Sequence, residues 1–193
     1  MPLDILLLGP QGAGKGTQGK LISREYGLPH IATGDILRAA IAVGSELGRK
    51  AEPVLKSGQL VPDDLMIELI RDRLAHVDTE RGFVLDGFPR TAVQAEALDE
   101  RLSDIDRPLG VVFEFQLPEE MAVERLLRRA QEEGRADDTP EAIRTRLGLY
   151  HEQTAPLVEH YRARGILVPL HADRPVEDVF EEVQQALEQV AVR

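Results

Sequence analysis

Residues 9–17 read Gly-Pro-Gln-Gly-Ala-Gly-Lys-Gly-Thr and follow directly on the apolar run 3–8. A short apolar run ended by Gly-Pro predicts a buried parallel strand that feeds a loop. Residues 15–26 then predict a helix. Gly9, Gly14 and Lys15 fit the G-x-x-x-x-G-K core of the Walker A pattern. The chemistry follows from the residue types. Glycines let consecutive backbone N–H groups turn inward around a phosphate oxygen. The helix adds its N-terminal dipole and unpaired N–H groups. Lys15 supplies a cation for the outer phosphates. One position departs from the general pattern: Gly16 stands where Ser or Thr would touch Mg²⁺, and Thr17 follows. Either Thr17 serves the ion indirectly or phosphates and water hold it.

The rest of the chain repeats the same alternation. Short apolar strands are expected at 28–31, 82–85, 110–115 and 166–170. Helices are expected at 62–76, 91–104, 118–133, from 139 past His151, and 176–190. Thr139 is placed to cap its helix, with Pro140 at the first position. Strands alternating with longer helices predict a parallel sheet covered on both faces. Two segments, about 32–61 and near 130–138, fit that core poorly. Residues 34–57 look helical but interrupted by Gly44, Gly48 and Pro53, and Gly134–Asp138 is a polar break. Such insertions either cover a ligand at the carboxyl ends of the strands or are plain surface loops.

Charge restricts the partners. The formal net charge is −11, so the chain is a poor general binder of nucleic acid or anionic membrane. Any polyphosphate must meet a local cluster of positive side chains. There are no cysteines, which excludes disulfides and thiolate chemistry. No run approaches the ~20 apolar residues that span a bilayer, and no basic stretch precedes the first apolar run, so a secretory signal is not expected. The expectation is a cytoplasmic protein, monomeric by default. The five histidines are scattered without metal-ligand spacing.

Three separated motifs make the chain recognisable: Gly9–Gln18; Ile31-Ala-Thr-Gly-Asp-Ile-Leu-Arg38; and Leu85-Asp-Gly-Phe-Pro-Arg-Thr91. With Gly58–Asp64 and Asp173–Asp178 they span nearly the whole chain, and it resembles the adenylate kinase family of the bacterial, short-lid type. Gly16 is that family's own form of the loop. The resemblance implies an α/β fold, a P-loop three-layer α/β/α arrangement with a five-stranded parallel sheet, plus a nucleoside-monophosphate lobe and a short lid. It places the core at 1–31, 62–129 and 139–193, the lobe at 32–61 and the lid at 130–138. The lid is too short, and too poor in cysteine, for a structural zinc.

The resemblance also implies site residues. ATP, the phosphoryl donor, would be held by Gly12, Ala13, Gly14, Lys15, Gly16 and Thr17, with Arg125, Arg129 and the backbone near Arg174. AMP would be held by Thr33, Arg38, Gln59, Leu60, Val61, Gly87, Phe88, Pro89, Arg90, Gln94, Arg135 and Arg146. Lys15, Arg38, Arg90, Arg129, Arg135 and Arg146 form the expected catalytic cations; guanidinium forks suit phosphate oxygens. Thr17 and Asp86 are the Mg²⁺ candidates, through water, with Asp35 a weaker one. Arg128 and Arg144 are assigned to the surface. Alternatives stand beside several of these. Arg38 could instead pair with Asp35 or Glu46, Arg146 could lie on a helix face open to water, and Thr33 could serve as a helix N-cap.

The implied reaction is Mg·ATP + AMP ⇌ 2 ADP, with ATP, AMP and ADP as the only partners. Two other readings remain. A UMP/CMP kinase shares the fold, although Thr33 and Gln94 favour AMP, since Gln94 offers both donor and acceptor to an adenine edge. A non-catalytic nucleotide-binding regulatory module would be expected to have lost one of Lys15, Arg38 or Arg90. A GTPase is disfavoured because no Asn-Lys-x-Asp guanine-reading motif is present.

Overall fold

The computed structural model describes residues 2–135 and 137–191; Met1, Ala136, Val192 and Arg193 lie outside the described residues. In chain order the elements are β1 (Leu3–Leu8), α1 (Lys15–Tyr26), β2 (His30–Ala32), α2 (Thr33–Ala42), α3 (Glu46–Ser57), α4 (Asp63–Leu74), β3 (Gly82–Asp86), α5 (Ala92–Asp104), β4 (Val111–Gln116), α6 (Glu119–Glu133), α7 (Pro140–Leu149), α8 (Leu157–Ala163), β5 (Leu167–His171) and α9 (Val176–Ala191).

The five strands form one parallel sheet in the order β2-β3-β1-β4-β5. Sequence pattern and structure agree here because apolar residues on both faces of a strand demand cover on both sides. Alternate residues of β1 divide between the two layers. Leu6 and Leu8 join Phe83, Leu85 and Val112 in a core with α4, α5 and α8. Ile5 and Leu7 join Val84, Val111 and Phe113 in a core with α1 and α9. A smaller cluster, Ala122, Leu126, Ile143 and Leu147, fastens α7 to α6.

The register places the carboxyl ends of three strands side by side. Asp86, the last residue of β3, pairs with Leu7 of β1 and Ala32 of β2. The loops that leave these strands therefore emerge from one edge of the sheet.

Only one of the three interruptions expected in 34–57 breaks the helix. Gly44, at φ 65°, separates α2 from α3, and Ser45 caps α3 by accepting a hydrogen bond from the Gly48 N–H at 3.1 Å. Gly48 lies inside α3, where it lets the two helices cross closely: a Cβ there would collide with the Ala40 carbonyl. Pro53 also stays inside α3. It forfeits one helical hydrogen bond, but Ala51, Val54 and Leu55 pack into the core on either side of it and hold the helix straight through.

The helix expected to run past His151 changes pitch. After α7 the chain widens into a π-helical turn, Tyr150–Thr154, with the Ala155 N–H donating to the Tyr150 carbonyl at 2.8 Å. Pro156 accounts for it, since a proline ring collides with the carbonyl four residues back in a regular α-helix. Thr139 caps α7 as expected, accepting from the Ala142 N–H at 3.1 Å, with Pro140 first in the helix. Thr33 does not cap α2. It is the first helical residue, after Ala32, and its hydroxyl donates across to the Asp86 carbonyl at 3.4 Å.

Candidate active site

The Gly-rich loop turns back over the end of β1. Gly9, at φ 147°, sits against β4, where a Cβ would lie 2.8 Å from the Phe115 carbonyl oxygen. Gly12, at φ 83°, sits equally close to the Ala122 carbonyl of α6. Both positions combine a backbone conformation and a clearance that only glycine provides. The loop curls around the Lys15 ammonium, which donates to the carbonyls of Gly9 and Pro10 at 2.7 Å each. Burial pushes the Lys15 pKa down to about 8; Asp86 opposes that shift, and Arg90 and Arg129 add to it.

Asp86 closes the wall beside Lys15. Burial pushes its carboxyl up, but His30, Lys15 and Arg90 together outweigh burial and hold it below its ordinary value. The His30 Nε2 lies 3.8 Å from the carboxylate. His30 fits between β2 and α1 because position 19 is glycine; a Cβ there would strike the imidazole.

Arg90 sits after the Gly87–Pro89 turn, whose Phe88–Pro89 bond is cis. Its Nε donates to the Gly87 carbonyl at 2.8 Å and its backbone N–H to the Gln94 Oε1 at 2.8 Å. Burial lowers its pKa; Asp86 raises it, and Arg146 and Arg38 lower it further. Thr91 caps α5 and, with the Gln94 Nε2, donates to one Asp63 oxygen, at 3.0 and 2.7 Å. These partners fix the orientation of the Gln94 amide, since an N–H must face oxygen and a carboxylate must face N–H.

All seven cations singled out in the sequence, Lys15, Arg38, Arg90, Arg125, Arg129, Arg135 and Arg146, line a single cleft of about 660 Å³. Carboxylates hold several of them apart. Arg38 pairs with Asp35 at 2.5 Å, the nearby partner considered from sequence, and approaches Asp137 at 3.7 Å. Arg135 pairs with Glu133 at 2.6 Å. Arg125 donates to the Ala172 carbonyl at 2.9 Å and reaches the Gly12 carbonyl at 3.5 Å, which ties α6 to the loop. Arg146 does not lie on a wet helix face: it is buried and donates to Asp138, to both the carbonyl and carboxylate of Asp137, and to the Leu55 carbonyl of α3.

The residues Gly12 to Thr17, Asp86, Gly87, Pro89 and Arg174 also line the cleft, whereas Thr33, Gln59, Leu60, Val61, Phe88 and Gln94 do not. Gln59 is exposed, and Thr33, Val61, Phe88 and Gln94 are buried behind the wall. The Arg174 side chain turns to α9, pairing with Glu182 and, at 3.2 Å, Asp178. Arg128, assigned to the surface, is at the rim of the cleft with an exposed side chain.

Sequence reasoning missed Asp137, Asp138, Tyr150 and Thr154. The first two were read as part of a polar break, although two carboxylates directly after a candidate phosphate-binding arginine are themselves a signal. The other two become visible only once Pro156 is taken to disturb the helix before it. No helix among the described residues is long and apolar enough to cross a membrane.

A Gly-rich loop wrapped on a lysine, a facing strand-end carboxylate and an arginine-lined cleft suit a polyphosphate and a second anion. Comparison with known proteins agrees. A family model described as adenylate kinase matches residues 7–166. The chain is similar to proteins named adenylate kinase from Thermobifida fusca, 46% identical over 96% of this chain and 98% of the relative. It is similar to others from Stenotrophomonas maltophilia, 44% identical over 96% and 99%, and Corynebacterium aurimucosum, 48% identical over 94% and 97%. With its fold, its cleft and these matches in agreement, the chain belongs to the adenylate kinase family.

Proposed function

We propose that the chain transfers a phosphoryl group reversibly from Mg·ATP to AMP, giving two ADP, by in-line attack without a general base. The observation that carries this reading is the convergence of Lys15 and six arginines on one cleft, with the Gly-rich loop on one wall and the Arg90 turn on another. The loop side, Gly12 to Thr17 with Arg125 and Arg129, suits the triphosphate. The opposite side, Arg38, Arg90 and Arg146, suits the monophosphate, and Arg135 approaches from the lid. The carboxylates now paired with Arg38 and Arg135 occupy guanidinium edges that phosphate oxygens would take on binding.

An AMP phosphate oxygen is already anionic near neutral pH, so no side chain has to remove a proton. The protein's work is to align the two nucleotides, stabilise charge on the transferring group and exclude water. Segment 32–61 and segment 130–138 act as the covers around a core of 1–31, 62–129 and 139–193. For the base, the fixed Gln94 amide keeps one free hydrogen on Nε2 and one free lone pair on Oε1, the pattern adenine needs. Thr33, the backbone of Gln59, Leu60 and Val61, and the turn with Phe88 would complete that pocket, which therefore has to open beyond the wall of the cleft when AMP binds.

Mg²⁺ fits the donors available. Thr17 and Asp86 offer oxygen beside Lys15, and among the described residues no group of three His, Cys, Asp or Glu could hold a metal by itself. Such a pair suits an ion whose other ligands are phosphate oxygens and water. When bound it would neutralise phosphate charge. The test is ADP formation from ATP with AMP, CMP or UMP, with and without Mg²⁺. Turnover with AMP, dependent on Mg²⁺, is expected. Preference for CMP or UMP would make the chain a pyrimidine monophosphate kinase, and binding without turnover would make it a regulatory module.

A further inference from the structure

The π-helical turn after α7 lies outside the motifs by which the sequence marks the site, yet it reaches the cleft. Tyr150 and Thr154 both line it, beside Arg146. Thr154 is buried, and its hydroxyl donates to the backbone carbonyl of Arg90 at 2.8 Å, across 64 positions of sequence.

The wide turn is what brings Thr154 there. In a continuous α-helix residue 154 would lie about 80° around the axis from residue 146. A single π turn absorbs one residue without its share of rotation, which leaves Thr154 within about 20° of the Arg146 direction. Arg146, Tyr150 and Thr154 thus face the same cleft although the helix is interrupted between them.

The Arg90 backbone is held from two sides. Its N–H is taken by Gln94 of α5, its carbonyl by Thr154, and its side-chain Nε closes on the Gly87 carbonyl. A guanidinium set on a turn is only as well aimed as the peptide that carries it. Gln94 and Gly87 belong to the same local segment as Arg90 and move with it. Thr154 ties that segment to the helix that carries Arg146.

We infer that Thr154 is a positioning residue for phosphoryl transfer: its hydroxyl, delivered by the π turn, fixes the Arg90 peptide so that Arg90 and Arg146 meet the same phosphate in register. This rests on the ATP-to-AMP reading above. Neither Thr154 nor the π turn is asked to touch the reacting atoms.

The test compares wild type, Thr154→Val and Thr154→Ser in steady-state ADP formation from ATP and AMP, with thermal unfolding recorded for each. Valine keeps the shape and removes the donor; serine keeps the donor. The inference expects the kcat of Thr154→Val to fall roughly tenfold, the KM for ATP to stay within about twofold, and serine to recover most of the loss. Wild-type kcat in Thr154→Val overturns it. So does an equal fall in Thr154→Ser, or a fall that only follows a loss of folded protein. Wild type that makes no ADP from AMP would instead remove the functional reading, and this inference with it.

Discussion

Asp138 holds two arginines at once: one carboxylate oxygen accepts from Arg146 Nη1 at 2.7 Å, and the other accepts from Arg129 Nε at 2.8 Å, with Arg129 Nη2 2.7 Å away in an ion pair. The Asp138 side chain is fully buried. Removing one member of a buried ion cluster leaves the others uncompensated. Asp138→Ala is therefore expected to lose about 3 kcal/mol of stability in urea unfolding and to lower kcat, since both arginines lose their aim. Asp138→Asn keeps one acceptor and should lose less. Unfolding at the wild-type urea midpoint in Asp138→Ala would show that the cluster is not structural.

The low Lys15 pKa has a pH signature. Its ammonium deprotonates around pH 8 in the free protein, where an ordinary lysine would stay charged to about 10.4. The rate constant kcat/KM for ATP, which reports the free enzyme, should decline as pH rises through about 8. The alkaline limb of kcat should sit higher, because a bound polyphosphate favours the charged lysine. The sign for stability is the reverse of the usual lysine case. Between the folded and unfolded values the unfolded chain binds more protons, so Lys15 makes the apo protein more stable as pH rises through that window. Coincident limbs for kcat and kcat/KM would remove Lys15 as the titrating group.

Gly48 permits the close crossing of α2 and α3, and a methyl group there meets the Ala40 carbonyl. Although alanine is the better helix former, Gly48→Ala is expected to destabilise by about 1–3 kcal/mol through overpacking. The damage should concentrate in residues 33–57, visible as faster amide exchange there than in β1 or β3. A stabilised variant would mean that the helices separate without cost.

Gln94→Leu removes the acceptor for the Arg90 N–H and the donor to Asp63 and puts an apolar side chain of similar size in their place. The KM for AMP is expected to rise roughly tenfold, with the KM for ATP little changed. Steady-state titration of each nucleotide in turn checks this. Equal shifts for both would place Gln94 in general support of the fold.

The strands, the phosphate loop and Lys15 were legible from sequence because each has a local signal. Apolar runs bounded by glycine mark strands, and glycine spacing with Lys15 marks the phosphate loop. Arg38, Arg90 and Arg146 came through the resemblance, not from pattern, and their paired carboxylates depend on tertiary approach. Gly48 and Pro53 misled as breakers, since local propensity yields where packing on α2 and the core outweighs it. Thr33 showed a cap-like position, but Ala32 takes it and the hydroxyl turns to Asp86. The π turn had one local cause, Pro156, whose effect on Thr154 is seen only when the helix axis is followed in three dimensions.

Ala32, Asp86 and Leu7 form one rung across three strands, and that rung sets what the chain can accept as it changes length. Adding a residue inside β3 would carry Asp86 about 3.3 Å past its neighbours and turn its side chain to the opposite face. The phosphate loop, the α2 start and the Arg90 turn would then lose their common level in a single step. Residues added between α6 and α7 would leave that level untouched. An added residue is thus costly beneath the cleft, where the strand ends share one level, and far less so between α6 and α7.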